Sequence, residues 1–139
     1  MSKINVVTTI VSLVGGSFGW TYKVSKGRRQ YQRSGVFTDI NTKVEAEVRV
    51  FKIMCDFIHE KMNFEESTKI TVISECREVI RLMRSGDVDE IGDLKNDPSV
   101  MEVVQDLLKH RETKAKCVYK YISKDKKKDG AKENCSARR

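Results

Sequence analysis

Residues 4–22 read INVVTTIVSLVGGSFGWTY, nineteen positions without a charged side chain. Lys3 precedes the run, and Lys23, Lys26, Arg28, Arg29 and Arg33 follow it. As a helix rising about 1.5 Å per residue, the run is just long enough to cross a bilayer core of about 30 Å. The leading expectation is therefore a single transmembrane helix. Two other readings stay open. Lys3, Ile4 to Val14 and Gly15-Gly16-Ser17 have the order of a cleaved signal peptide. The many β-branched residues and Gly15-Gly16 also suit a β-hairpin, at the cost that both of its faces would be apolar and need cover.

As a helix, Asn5, Thr8, Ser12, Gly15 and Gly19 recur at spacings of three and four. They form one stripe of small and polar residues through which the span would self-associate, giving a homo-oligomer. Trp20 and Tyr22 fall where an interfacial aromatic belt would lie. The basic excess after the run places the C-terminal side in the cytosol. Lys23, Lys26, Arg28, Arg29 and Arg33 would then meet the anionic lipid leaflet.

The charge pattern agrees with a divided chain. Net charge over the 139 residues is +7. It comprises +6 in residues 1–35, −7 in residues 36–108 and +8 in residues 109–139. A uniformly basic nucleic-acid-binding domain would not show an acidic middle. Four cysteines, Cys55, Cys76, Cys117 and Cys135, form no C-x-x-C pair and read as free thiols.

Beyond the basic linker, Thr42-Lys43-Val44-Glu45 has capping-box spacing, followed by Val44, Val48, Phe51, Cys55, Ile58 and Met62 on one helical face. A second helix is expected from Asn63 to Arg84, its front half weakened by the strand-forming KITVIS of residues 69–74. Gly86 suits its C-terminal end. Residues 87–96 read as an acidic loop. Asp97-Pro98 starts a third helix, which the spacing of Val104, Leu108, Arg111, Ala115, Val118 and Ile122 carries to about Ser123. From Lys124 the composition predicts a disordered basic tail, with Lys124, Lys126, Lys127 and Lys128 as further lipid or phosphate contacts.

The expected fold is thus all-α. Residues 1–25 form the anchor, 26–38 a juxtamembrane linker, 39–123 a three-helix domain and 124–139 the tail. This layout is shared by organelle signal-anchored receptors and viral accessory proteins, an analogy of arrangement only.

No phosphate-binding glycine loop, metal-binding His/Glu motif or nucleophile elbow occurs, and His59 and His110 stand alone. The reading is of a non-enzymatic protein without cofactor or metal, a membrane-anchored module that docks a protein partner. The alternative is a soluble basic protein that binds nucleic acid through residues 109–139, with Tyr119 and Tyr121 as stacking partners and residues 4–22 folded as a hairpin. A pore-forming oligomer is a third reading.

Overall fold

A computed structural model describes residues 3–62, 68–110 and 116–123 of the chain. The decisive run is two strands. β1 (Lys3–Leu13) and β2 (Ser17–Lys26) pair antiparallel, Ile4 opposite Lys26 through Leu13 opposite Ser17. Gly15 and Gly16 turn the chain with φ of +81° and +74°, a region that side chains disfavour. β3 (Arg29–Phe37) returns along β2 after the Gly27-Arg28 turn, where Gly27 takes the positive φ (+61°) that a two-residue hairpin needs at its first position.

Next come α1 (Lys43–Lys61), β4 (Lys69–Ser74), α2 (Arg77–Ser85), a 3₁₀ segment (Val88–Asn96), α3 (Pro98–Lys109) and β5 (Lys116–Tyr121). The sheet order is β3-β2-β1-β4-β5. β4 runs parallel to β1, and β5 parallel to β4. This mixed five-stranded sheet with helices replaces the expected all-α bundle.

Strand alternation explains the error. Ile4, Val6, Ile10, Phe18, Trp20, Tyr22 and Val24 are buried in one core with Val48, Phe51, Met54, Ile58, Val104 and Leu107 from α1 and α3. The alternate positions Val7, Thr9 and Thr21 are half-buried on the other face. The second face carries Val7, Thr9, Val11 and Thr21 in place of charged side chains, so the run lacks a clean apolar/polar alternation. Burying each large side chain contributes about 1.5–3 kcal/mol, so β1 and β2 belong to the core.

Among the described residues no helix is long and apolar enough to cross a membrane. The transmembrane helix, the single-pass membrane localisation and the lipid-anchored partner reading are corrected accordingly, and the pore-forming reading loses its span.

Two further segments differ from expectation. Residues 69–74 form β4, with Ile70 and Val72 buried, where a helix was expected. The third helix stops at Lys109, and residues 116–121 form β5. A spacing of four between Val118 and Ile122 mimics helix periodicity over a window too short to separate the two.

The local helix signals behave as their chemistry dictates. Thr42 Oγ1 accepts from the Glu45 N–H at 3.1 Å and caps α1. Gly86 ends α2 at φ +76°, its N–H donating to the Leu82 carbonyl at 2.7 Å. Asp97 caps α3 ahead of Pro98.

Candidate nucleic-acid interface

The strand register creates a notch. β1 and β4 pair from Lys3–Lys69 to Val7–Ile73, and β4 ends at the next residue, Ser74, while β1 continues to Leu13. On the other side β1 is antiparallel to β2. The carboxyl ends of parallel strands, where the connection pattern of a sheet changes, are where open α/β sheets bind ligands.

Thr8 of β1 and Ser74 of β4 are buried here, with 0 % and 1 % exposure. Glu47, at 1 %, comes from the second turn of α1. Ser74 Oγ donates to Glu47 Oε2 at 2.5 Å and accepts from the Cys76 N–H at 2.9 Å. One hydroxyl therefore ties β4, α1 and the start of α2.

Glu47 Oε1 and Thr8 Oγ1 are buried without a hydrogen bond of good geometry. Thr8 still faces the carboxyl closely enough to favour its charged form. Burial is the larger influence and raises the Glu47 pKa above its ordinary 4.5, opposed by Ser74, Thr8 and Lys43 and assisted by Glu75.

The next strand over carries the rim. Tyr121 of β5 lies in register with Ser74 and is 37 % exposed. The Arg77 guanidinium, from the first turn of α2, sits 5.1 Å from the Tyr121 ring centroid. Ile122 N–H donates to the Ser74 carbonyl at 3.0 Å and fixes the strand end. Arg84 Nε–H donates to the Tyr119 carbonyl at 2.8 Å, binding α2 to β5. Arg77, Arg81 and Arg84 are exposed along α2, opposite buried Val79, Ile80 and Met83. Ile73, Lys120, Tyr121, Ile122 and Ser123 line a cleft of about 360 Å³ at the ends of β4 and β5.

The residues singled out in the sequence are spread over this fold. Asn5 and Ser12 lie on β1, Gly15 in the turn and Gly19 on β2 opposite Val11. Asn5 points to one side of β1 and Ser12 to the other, because side chains alternate with a period of two. Lys26, Arg29 and Arg33 register with the helix-facing residues of the β2–β3 hairpin, Lys23 with the opposite face, and Arg28 sits in the turn. Lys124, Lys126, Lys127 and Lys128 lie outside the described residues. Of the two tyrosines, Tyr119 is buried and Tyr121 exposed.

No local pattern in the sequence groups Glu47, Thr8, Ser74 and Arg77. Arg77, Arg81 and Arg84 carried the one usable signal, a four-three spacing on the polar side of α2. His59 and His110, expected to be isolated, meet with ring centroids 4.2 Å apart and planes tilted by 36° between α1 and the end of α3. Burial pushes the Cys55 and Cys76 thiols up to about 12.

No family model and no curated protein matches the sequence. The fold does have counterparts among solved structures. The N-terminal RNase H domain of rv2228c from Mycobacterium tuberculosis, solved as a maltose-binding-protein fusion, aligns over 99 % of this chain and 97 % of its own, with TM-score 0.68 and 12 % identity. RNase H1 of Halobacterium salinarum NRC-1 aligns over 98 % and 99 %, with TM-score 0.58 and 11 % identity. LC11-RNase H1, solved in complex with an RNA/DNA hybrid, aligns over 88 % and 87 %, with TM-score 0.58 and 16 % identity.

At these identities the likeness establishes the fold, that of RNase H domains. It overturns the expectation of a non-enzymatic helical adaptor, because the architecture is one that nucleases use.

A nuclease fold raises the question of divalent cations, which in two-metal sites sit about 3.5–4 Å apart between acidic ligands. The described residues at the notch do not fit that requirement. The buried groups are one carboxyl and two hydroxyls, and that carboxyl already holds Ser74, with Glu75 half-buried beside them. Among the described residues no group of three or more His, Cys, Asp or Glu side chains is placed to hold a metal.

Proposed function

We propose that this chain is a nucleic-acid-binding domain that engages an RNA/DNA hybrid at the carboxyl end of its parallel strands. The observation that carries the reading is the Arg77–Tyr121 pair, held beside the Thr8–Ser74 row at the change in strand direction. A guanidinium over an exposed ring offers a phosphate partner and a stacking surface together. Lys43, half-buried in the first turn of α1, adds charge on the Glu47 side. The hybrid is the chosen partner because LC11-RNase H1, of the same fold, was solved with one. This reading follows the nucleic-acid alternative but moves the contact from the C-terminal tail to the sheet end.

Fluorescence anisotropy with a labelled hybrid, and with a DNA duplex of the same sequence, tests it. Binding should weaken steeply with salt. Tyr121→Ala should weaken it about tenfold, in keeping with about 1–3 kcal/mol per stacked base. Arg77→Ala should lower the salt slope by about one phosphate contact. Cleavage of the RNA strand is scored in the same samples. No saturable binding to the hybrid at low salt would refute the proposal.

A further inference from the structure

We infer that Thr8, Glu47 and Ser74 form a buried junction, tied by the Ser74–Glu47 hydrogen bond, that takes no divalent cation, so that nucleic acid binds this face without a metal bridge.

Three observations support it. The first is ligand count. Mg²⁺ demands near-octahedral oxygen geometry, keeps several waters and binds through one or two carboxylates together with phosphate oxygens. Glu47 is the one buried carboxylate in the notch, with half-buried Glu75 acting on it through charge, and its Oε2 is already held by Ser74 Oγ–H at 2.5 Å.

The second is access. Thr8, Glu47 and Ser74 are each at most 1 % exposed, and Glu47 Oε1 and Thr8 Oγ1 are both sealed from solvent. A hydrated cation cannot reach either atom without separating α1 from β1 and β4.

The third is charge. A carboxylate ligand must be ionised, whereas burial here favours the neutral acid. Lys43, which faces the carboxyl, adds a positive charge that a cation would have to oppose.

The junction then acts as a structural tie. It fixes the end of β4 and, through the Cys76 N–H, the start of α2, which carries Arg77. The binding rim is thereby placed by a buried hydrogen bond where a two-metal site would use ions.

The test uses the full chain and Mn²⁺ alone, so it does not depend on the hybrid being the true ligand. Paramagnetic broadening of the amides of Thr8, Glu47 and Ser74 is followed as Mn²⁺ is added, with calorimetry in parallel. The expected result is no saturable broadening at these amides at millimolar Mn²⁺. The double substitution Thr8→Asp/Ser74→Asp should install saturable Mn²⁺ binding and a Mn²⁺-dependent rise in melting temperature.

Saturable broadening in the unmodified chain that disappears in Glu47→Gln would overturn the inference, whether or not the double variant folds. Hybrid affinity at matched ionic strength should not rise when EDTA is replaced by Mg²⁺, and a tenfold gain with Mg²⁺ would overturn the inference. Absence of hybrid binding in both buffers would sink the proposed function and leave the Mn²⁺ result standing.

Discussion

Trp20 lies across Gly35 so closely that a Cβ on the glycine would stand 2.5 Å from the indole Cζ2. The two residues are paired on β2 and β3, and the indole stacks between Phe37, at 5.6 Å between ring centroids, and Tyr22, at 6.1 Å. The ring is held on both sides and cannot retreat cheaply.

Gly35→Ala should therefore destabilise the fold by about 1–3 kcal/mol, the usual cost of overpacking. Urea denaturation followed by Trp20 fluorescence measures it directly. A loss below about 0.5 kcal/mol, typical of surface substitutions, would show that the indole is not fixed over β3.

Glu47 ties stability to rising pH. Its folded pKa is raised above 4.5, chiefly by burial. The folded state thus binds the proton more tightly than the unfolded chain. The stabilisation this brings is complete below about pH 4.5 and is lost as pH rises through the folded value. Glu47→Gln has no such loss, so its melting temperature relative to the unmodified protein should climb between pH 4.5 and 8. Parallel curves across that range would contradict a buried, neutral carboxyl.

His110 acts in the opposite direction. Its pKa is lowered from 6.5 by burial and by His59, although Asp56, 3.4 Å from Nε2, pulls it back. The unfolded chain now holds the proton more tightly, so stability is present above about pH 6.5 and is lost as pH falls through the folded value. Lys52, Asp106 and Lys109 complete the charged surroundings between α1 and α3. In His110→Gln, the decline in melting temperature below pH 6.5 should be shallower than in the unmodified protein.

Cys55 and Cys76 should resist thiol reagents at pH 8, because burial leaves almost no thiolate on either. Alkylation of the native chain, mapped by mass spectrometry, should leave both unmodified until denaturant is added. Rapid native labelling of Cys55 would mean that α1 opens away from the sheet.

The ends of the helices were legible in the sequence because caps are local chemistry. Thr42, Gly86 and Asp97-Pro98 act within a few residues of themselves. Residues 4–22 could not be read the same way. A strand pair buried on one face and half-covered on the other has the composition and length of a membrane span, and only its partners β3 and β4 reveal which it is.

Glu47 is harder still. It sits among helix residues that look like a polar face, and its burial arises from contacts with Thr8 and Ser74, each more than twenty-five positions away. Tyr121 was noticed as a stacking candidate, but its placement needed β5 in register with β4 and Arg77 above it. Sites assembled by topology leave little trace in local pattern.

The most direct measurement is amide chemical-shift mapping of the ¹⁵N-labelled chain as an unlabelled RNA/DNA hybrid is added. The account predicts shifts concentrated at residues 74–77 and 121–123 and at Lys43, around the Arg77–Tyr121 pair. Shifts confined to β3 and the β2–β3 turn, or no shifts at saturating hybrid, would contradict it.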